Sequence, residues 1–472
     1  MNPRASTIPR ADPTAPPIAH TLVVVSCAYT ALTTGERFGL LDRERAFYAR
    51  LWPNFRQVVF VSYGGAQDHA VAEALVHAMS GRVRCVCNDA DLEPGVFLAG
   101  VPDRVARLAS GADSALILTE QFWGGDVAVT ITNCLRHNGL RVGLAARGGY
   151  HWSWTMLREH GPDSPQFAQA RYLEGELCRA ADIVIATTPR ILDDLAFQHA
   201  LPRSRLRLVP NFVLTDADPA PVPARKPGLV LTAGRLAREK RVGLLIEAVA
   251  TLSASVPNLR LLVVGDGPES DALVDLARRL NAPVEFRARV PHHELLGLMR
   301  ACRVYAQCSE YEGHPKTVLE AMSSAAPVLV TDSPGLADRV HPGRTGLVTP
   351  ATAEPIAAAL HTLLSDDALA ETLGRAASAA VRAELGLDAV YPLYRRACAD
   401  AMSSAGAFTA APPPIVRWDQ PLLNLAPPAA AAAWHAGLHA FAKRLGPAAA
   451  RAFREDLLAR LTGHAPATND RA

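Results

Sequence analysis

The sequence predicts an α/β protein with two doubly wound domains that face a cleft, followed by a C-terminal helical extension. Three observations support this prediction. The chain has 472 residues, more than one hydrophobic core usually covers, and 49% of them are apolar. Short continuous apolar runs alternate with longer helical patterns, which is typical of parallel strands buried on both faces. One stretch rich in Pro, Ala and Asp interrupts this alternation, which then starts again.

The first series of apolar runs predicts a Rossmann-like domain at residues 20–214. Residues 1–19 carry several prolines and no apolar run, and they are expected to form a disordered N-terminus. Seven runs are interpreted as parallel strands, at 22–25, 58–61, 83–87, 116–118, 142–145, 183–185 and 206–209. Residues 215–227 are then interpreted as a linker between domains.

The second series predicts another Rossmann-like domain at residues 228–386. Its strands are expected at 229–231, 261–264, 284–286, 304–306 and 328–330. Its helices are expected at 242–253, 271–280, 294–300, 317–325 and 353–364.

The last part of the chain differs in kind from both domains. Residues 387–404 predict an amphipathic helix with one apolar side, formed by Val390, Tyr391, Tyr394, Cys398 and Met402. Residues 405–472 are interpreted as a Pro- and Ala-rich linker and a helical tail whose role the sequence does not indicate.

Composition excludes several classes of function. A formal net charge of +2 and no block of Lys or Arg argue against a nucleic-acid partner. The eight cysteines lie mostly in apolar runs, and Cys85 and Cys87 are one residue short of a CxxC spacing, so all are interpreted as reduced core residues. We find no signal peptide and no apolar run long enough to span a bilayer. A cytoplasmic protein is expected, with peripheral contact to the inner membrane surface and the oligomeric state left open.

The strongest functional signal lies at residues 309–322. Glu312 occupies a loop that contains Gly and Pro, and Glu320 follows eight residues later, after Lys316 and Thr317 open an apolar helical pattern. We expect Glu320 in the first turn of that helix, next to a site for a phosphate or a sugar oxygen. The alternatives are that the carboxylates only complement the helix end and face solvent, or that they form the acid pair of a glycoside hydrolase.

Three further segments follow predicted strands, where ligands bind in open α/β sheets. Gly234 allows a tight turn, and Arg235 and Lys240 offer two cations for a diphosphate, although the loop is also compatible with a solvated basic surface. The turn Gly265-Asp266-Gly267 lets a backbone approach a ligand. The segment 285–291, which includes Arg289 and Val290, precedes a helix that Pro291 introduces. The following pair, His292 and His293, is interpreted as an exposed helix start and not as a metal site.

The order of these motifs resembles the retaining nucleotide-sugar glycosyltransferases of family 4, which have the GT-B fold. Glu312 and Glu320 match the Glu-x7-Glu pattern of that family, and the resemblance is strong over residues 228–350. The sequence departs from the family pattern at Ala288, Cys308 and Ala325, none of which is a proposed ligand. The resemblance implies an acceptor domain at 20–214 and a donor domain at 228–386, joined by a crossover helix at 387–404.

The resemblance also implies roles for single residues. Arg235 and Lys240 would bind the donor diphosphate, Glu320 the ribose hydroxyls and Glu312 a hydroxyl of the donor sugar; Arg235, Lys240 and Glu312 are the expected catalytic residues. The other expected donor-binding residues are Gly265, Asp266, Gly267, Arg289, Val290, Gly313, His314, Pro315, Lys316 and Thr317. The implied donor is a UDP- or GDP-sugar, with no cofactor and no metal ion required.

The acceptor site is expected in the first domain. Arg147, Tyr150, His151 and Trp152 concentrate aromatic and hydrogen-bonding groups after a predicted strand, and such groups stack on sugars. Gly35 after the first strand and residues 120–125 after the fourth also point toward the cleft. Many relatives carry a His where Arg147 stands, and an aromatic cluster packed between domains is the alternative.

The activity expected is transfer of a sugar to a glycan, lipid-linked or small-molecule acceptor, with retention at the anomeric carbon. A sugar-nucleotide-binding protein without turnover is one rival hypothesis. Another activity of the same fold, such as an epimerase or a pyridoxal-dependent phosphorylase, is the second.

Overall fold

The computed structural model describes residues 17–28, 30–37, 40–76, 81–214 and 225–405. Residues 1–16, most of the predicted linker and the tail from residue 406 lie outside these ranges. The chain divides into two compact units. Of the described residues, those up to His151 and those from Gly175 onward lie in one unit, and Trp152–Glu174 lies in the other.

A seven-stranded parallel sheet, the first sheet, contains the predicted runs of the first series. Strand β1 is buried along its whole length, and its Leu22 pairs with Val58 on one side and Leu116 on the other. The spatial order is β3-β2-β1-β4-β5-β6-β7. The strands are β1 (Thr21–Val25), β2 (Gln57–Val61), β3 (Val83–Val86), β4 (Ser114–Thr119), β5 (Arg141–Gly148), β6 (Ile183–Ala186) and β7 (Leu206–Leu208).

Helices connect these strands, as parallel pairing requires. They are α1 (Leu32–Arg37), α2 (Leu40–Leu51), α3 (Asp68–Leu75), α4 (Pro94–Leu108), α5 (Gly125–His137), α6 (Trp152–His160), α7 (Pro165–Ala180) and α8 (Pro189–His199). Within the unit that contains α6, Glu174 accepts hydrogen bonds from the backbone N–H and the hydroxyl of Ser153 at 3.1 and 2.7 Å. We call the first sheet with helices α1–α5 and α8 the first lobe.

A six-stranded parallel sheet, the second sheet, has the order β10-β9-β8-β11-β12-β13. Its strands are β8 (Leu229–Ala233), β9 (Arg260–Val264), β10 (Val284–Arg287), β11 (Val304–Gln307), β12 (Val328–Thr331) and β13 (Leu347–Thr349). Its helices, which with the sheet form the second lobe, are α9 (Val242–Leu252), α10 (Ser270–Arg279), α11 (His292–Ala301), α12 (Lys316–Ser323), α13 (Ala353–Ser365) and α14 (Asp367–Leu385).

The sequence patterns did not indicate β13 or α14. Strand β13 has three residues, too few to form a recognisable apolar run. The side chains that α14 buries include Ala370, Gly374 and Ala377, and small residues leave only a weak apolar period.

The final described helix, α15 (Leu387–Ser403), returns to the first lobe. It buries Val390, Tyr394, Cys398 and Met402 in the apolar core that also contains β1 and β2 residues. The guanidinium of Arg141 on β5 donates to the Met402 carbonyl at 2.7 Å, and Arg207 pairs with Asp400 at 2.7 Å. This helix therefore ties the end of the second lobe to the first sheet. The domain boundaries inferred from the sequence stay predictions.

None of the helices in the described ranges combines the length and apolar character that a membrane span needs.

We predict that Gly143→Ala lowers stability, because a Cβ at this position would lie 2.8 Å from the Ala401 carbonyl oxygen and 2.9 Å from the Met402 sulfur. Overpacking of this kind costs about 1–3 kcal/mol. The measurement is the midpoint of urea unfolding. Gly100→Ala in α4 is the control, since its Cβ meets nothing within 4 Å, and we expect it to stabilise by about 0.5–1 kcal/mol. Equal midpoints for the two variants would refute close packing of α15 on β5.

Candidate active site at the carboxyl edge of the second sheet

The carboxylate of Glu312 is the centre of a hydrogen-bond network. Its Oε1 lies 2.6 Å from Lys240 Nζ and accepts hydrogen bonds from Gln307 Nε2 at 2.6 Å and Ser309 Oγ at 2.7 Å. The Glu312 side chain is 13% exposed. Three donors on one oxygen satisfy the hydrogen-bonding needs of a largely buried carboxylate and fix its orientation.

Two hydroxyl groups fix the side chain of Gln307 in turn. Its Oε1 accepts hydrogen bonds from the hydroxyls of Tyr305 and Thr317, both at 3.0 Å. Burial raises the pKa of Tyr305, so its hydroxyl stays protonated and can donate. Sequence reasoning missed Gln307 and Ser309. The signal was a polar side chain at the end of an otherwise apolar strand.

The backbone of Glu312 is clamped by the loop after β12. Its N–H donates to the Pro334 carbonyl at 2.9 Å. Gly335 has a φ of +83°, and a Cβ there would collide with the Glu312 carbonyl. Glycine at 335 is therefore required for this clamp.

The loops after β8 and β9 lie against each other. Leu236 N–H donates to the Asp266 carbonyl at 2.8 Å, and Gly234 N–H donates to the Val264 carbonyl at 3.0 Å. A Cβ at Gly265 would collide with the Gly234 carbonyl, and a Cβ at Gly267 with the Leu236 carbonyl. Gly265 and Gly267 thus allow two backbone segments to pack together, while the approach of this turn to a ligand stays a prediction from the sequence.

The remaining donor-side residues predicted from sequence lie at the rim of these loops. Asp266 pairs with Arg289 at 2.9 Å, and both side chains are substantially exposed. Arg235 is exposed. Val290 is partly buried against the apolar core of the second lobe.

Helix α12 begins at Lys316, with Pro315 as its N-cap. The expectation that Glu320 lies in the first turn is wrong, because that turn carries no acidic residue. Glu320 lies one turn further on, is buried, and its Oε1 is 3.0 Å from Nε2 of His292. His292 opens α11 as predicted, but its ring is only 13% exposed. After Gln307 and Ser309, it is the third residue whose part in the site the sequence did not indicate.

On the first lobe, Arg147 ends β5 beside a buried acidic group. Its backbone N–H donates to Thr119 Oγ1 at 2.8 Å, and its guanidinium donates to the Glu120 carbonyl at 3.3 Å. The same guanidinium lies 5.8 Å from the ring centroid of Tyr394 on α15. Burial raises the pKa of Glu120, whose carboxyl accepts a hydrogen bond from the Tyr48 hydroxyl at 2.8 Å.

The segment after Arg147 touches the donor loop directly. A Cβ on Gly313 would lie 3.2 Å from the Gly149 carbonyl and 3.6 Å from the Tyr150 Cα. His151 is buried, and its Nδ1 lies 3.9 Å from the Asp194 carboxylate. The structure thus brings Gly149 and Tyr150, but not the whole predicted acceptor cluster, against the loop that carries Glu312.

The other two predicted acceptor residues lie in helices. Trp152 is buried at the start of α6. Gly35 lies in α1, and a Cβ at this position would lie 3.2 Å from the Leu41 side chain.

Hydrogen bonds between Asn211 and His314 connect the two lobes next to Glu312. Asn211 N–H donates to His314 Nδ1, and the Asn211 amide donates to the His314 carbonyl, both at 3.1 Å. Burial, with Arg339 and Lys316 nearby, lowers the pKa of His314 to about 3. The imidazole is therefore neutral at physiological pH. Lys316 also lies 3.7 Å from Glu44 on α2 of the first lobe.

Among the residues that the structure describes, no group of His, Cys, Asp or Glu with the spacing of metal ligands includes a donor-loop residue.

Comparison with known proteins points to one family for the second lobe. Residues 216–380 match the model of the glycosyl transferases group 1. Glycogen synthase of Mycobacterium tuberculosis is 28% identical over 240 residues, which cover 49% of this chain and 56% of that protein. Mannosylfructose-phosphate synthase of Agrobacterium fabrum is 33% identical over 189 residues, which cover 36% and 42%. The chain therefore spans about half the length of the curated relatives it matches.

Solved structures extend the likeness to both lobes. Sucrose-phosphate synthase from Thermosynechococcus elongatus superposes with a TM-score of 0.58 at 20% identity, covering 80% of this chain and 98% of that chain. Anabaena HepE in complex with UDP and glucose superposes with a TM-score of 0.59 at 18% identity, again covering 80% and 98%. The predicted GT-B fold is confirmed.

We predict that His314→Asn makes the free energy of unfolding less dependent on pH below 6.5. The folded-state pKa of about 3 lies below the ordinary value of 6.5, so below pH 6.5 the unfolded chain binds a proton that the folded chain excludes. Stability is therefore lost as the pH falls from 6.5 toward 3, by about 1.4 kcal/mol per pH unit. The Asn oxygen preserves the acceptor for Asn211.

The measurement is the free energy of unfolding at pH 7.0, 6.5, 5.5 and 4.5, for wild type and variant. We expect the wild type to lose about 2–3 kcal/mol more than His314→Asn between pH 6.5 and 4.5. Parallel curves for the two proteins would show that His314 is not held neutral by the fold.

Proposed function

We propose that the protein is a retaining glycosyltransferase, because residues 216–380 match the model of the glycosyl transferases group 1. It moves a sugar from a UDP- or GDP-linked donor to a glycan, lipid-linked or small-molecule acceptor. The observation that carries this proposal is the Glu312 carboxylate, fixed beside Lys240 and directly before the start of α12.

Lys240 and Arg235 bind the donor diphosphate in this proposal. The Lys240 ammonium has three N–H donors, so one ion pair with Glu312 leaves two for phosphate oxygens. Arg235 is exposed and adds a planar guanidinium fork. Further positive potential comes from the N-terminal end of α12 and from the backbone N–H groups of Gly313, His314 and Lys316. Pro315 has no backbone N–H to contribute.

Glu312 binds a hydroxyl of the donor sugar through its second oxygen. All the hydrogen bonds to its carboxylate converge on Oε1, and no donor among the described residues contacts Oε2. A carboxylate with one oxygen held by hydrogen bonds and the other accessible is preorganised to orient a sugar, because it does not have to reorient when the sugar binds.

Glu320 binds the ribose hydroxyls, and His292 orients it. A buried carboxylate accepts hydrogen bonds from two adjacent hydroxyls well, and the His292 hydrogen bond fixes its orientation. Arg289 and Val290, at the neighbouring strand end, lie where the nucleoside base would follow, with Asp266 holding the Arg289 side chain.

The chemistry follows from this placement. The bond between the anomeric carbon and the diphosphate oxygen breaks as the acceptor oxygen bonds to the same face of that carbon. The acceptor hydroxyl proton passes to the departing phosphate oxygen. Negative charge grows on the diphosphate, where Lys240, Arg235 and the start of α12 stabilise it. The family resemblance implies no need for a divalent cation, and activity that survives EDTA is the expected result.

The acceptor binds on the first-lobe side, next to the donor sugar. The packing of Gly149 and Tyr150 against Gly313 supports this assignment, because it places the end of β5 beside the sugar-binding loop. Arg147 and His151 complete the site on that lobe. Gly35 and Trp152, like the cytoplasmic location and contact with a membrane surface, stay predictions from the sequence.

We predict that Glu312→Gln lowers kcat by about 10²–10³, because one fixed transition-state contact is worth that factor, and that Lys240→Ala has at least as large an effect. The assay follows nucleotide release from a panel of UDP- and GDP-sugars, and NMR of the product reads the anomeric configuration. Glu354→Gln, on an exposed first-turn carboxylate of α13, is the control and should keep wild-type activity.

Two outcomes would contradict the proposal. Equal nucleotide release by wild type and a folded Glu312→Gln would favour a binding protein without turnover. An inverted product would exclude the retaining reaction.

We predict that Glu320→Ala weakens UDP or GDP binding by about ten- to a hundredfold, since two hydrogen bonds to a charged group are lost. His292→Ala should weaken it less, and His293→Ala is the matched control, because its ring is exposed at the next position of α11. Calorimetric titration with UDP and GDP measures the dissociation constants. Equal losses for His292→Ala and His293→Ala would remove the orienting role of His292.

A further inference from the structure

Three potential metal ligands meet at the outer edge of the first sheet. Cys85 lies in β3, the edge strand, and Cys87 directly follows it, so their side chains lie on the same face. His69 is the second residue of α3. The two sulfurs and a ring nitrogen of His69 all lie within 4.8 Å of one another, and Cys87 Sγ is 3.4 Å from His69 Nε2.

These distances suit one tetrahedral ion. Zinc–sulfur bonds of about 2.3 Å and zinc–nitrogen bonds of about 2.0 Å place neighbouring ligand atoms roughly 3.5–3.8 Å apart. The separations in the protein need changes of about 1 Å or less to reach that range, which small side-chain rotations supply.

A fourth ligand is within reach. The Asp89 carboxylate oxygen Oδ2 lies 3.7 Å from His69 Nε2. Arg104 donates to both oxygens of Asp89, at 3.2 and 3.3 Å, and to the Cys87 carbonyl at 2.9 Å. Two thiolates and one carboxylate bound to a divalent cation carry a net charge of −1, and the Arg104 guanidinium neutralises it.

An ion can enter and leave this position. Both cysteines are buried, but the His69 side chain is 46% exposed. His69, Cys85 and Arg104 border a surface cavity of about 480 Å³. The two thiols of the cluster are therefore buried, while the side formed by His69 is accessible from solvent.

We propose that His69, Cys85 and Cys87, with Asp89 as fourth ligand, form a zinc site. Two sulfurs and one imidazole nitrogen match the ligand preference of Zn²⁺ and not that of Mg²⁺ or Ca²⁺, which take oxygen. The sequence alone did not predict this zinc site, because the Cys-x-Cys spacing does not match a CxxC motif and His69 lies 16 positions before Cys85.

The site would be structural. It ties the edge strand β3 to α3, whose first residue Asp68 is buried and accepts hydrogen bonds from the first backbone N–H groups of α1, at 3.0 Å from Leu32 and 2.9 Å from Thr33. The ion would thereby hold α1 and α3 on the sheet. This inference is independent of the proposed glycosyl transfer.

The test uses the full-length chain without an affinity tag of histidines. The protein is stripped with a chelator and titrated with Co²⁺ as a spectroscopic probe and then with Zn²⁺. We expect one equivalent of Co²⁺, the ultraviolet charge-transfer bands of two thiolates, the visible bands of a tetrahedral ion, and displacement of the signal by Zn²⁺. Saturating Zn²⁺ should raise Tm by about 5 °C, because it binds only the folded chain.

Single variants decide which residues bind the ion. Cys85→Ser and Cys87→Ser should each halve the charge-transfer intensity, and His69→Gln, at an exposed side chain, should weaken Zn²⁺ binding at least tenfold without loss of fold. Cys134→Ser, on α5 and outside the cluster, should change nothing. Absence of stoichiometric Co²⁺ binding, or the same spectrum in wild type and Cys85→Ser or Cys87→Ser, would overturn the proposal.

Discussion

The Glu312 carboxylate is the group on which the geometry of the donor side depends. A carboxylate with little access to water needs hydrogen-bond donors, and here Lys240, Gln307 and Ser309 all supply them to one oxygen. These donors come from the loop after β8, from the last residue of β11 and from the loop after β11, and the loop after β12 clamps the Glu312 backbone. One charged group therefore aligns three loops of the second lobe and leaves its other oxygen open to a ligand.

The loop that carries Glu312 also touches the first lobe. His314 accepts two hydrogen bonds from Asn211, Gly313 packs on Gly149, and Lys316 approaches Glu44. The imidazole of His314 can accept from Asn211 because burial keeps it neutral. Since these contacts lie within a few residues of Glu312, the arrangement of the lobes and the shape of the donor loop are coupled. Helix α15 reinforces that arrangement from the far side, where Gly143 allows close approach.

The cysteines show how a local pattern can hide a site. Burial explains most of them as core residues, as the sequence indicated. Cys85 and Cys87 differ, since the chain folds His69 against them from the preceding helix and places Asp89 and Arg104 beside it. Ligand spacing along the chain is informative only when ligands share one local element. Here they come from a helix, a strand and the loop that follows it.

The sequence by itself determined the two-sheet α/β fold, the positions of most strands, and those of most helices of the second lobe and of α15. These features depend on local apolar patterns and backbone freedom, which the order of residues records. Only the tertiary structure decided that β13 and α14 exist, that Gln307 and Ser309 hold Glu312, and that His292 meets a Glu320 buried beyond the first helical turn. The pair of His292 and Glu320 joins side chains from separate helices, and Lys240 reaches Glu312 from the loop after another strand. These contacts form because parallel strands end at a common edge, which brings residues distant in the chain within hydrogen-bond distance.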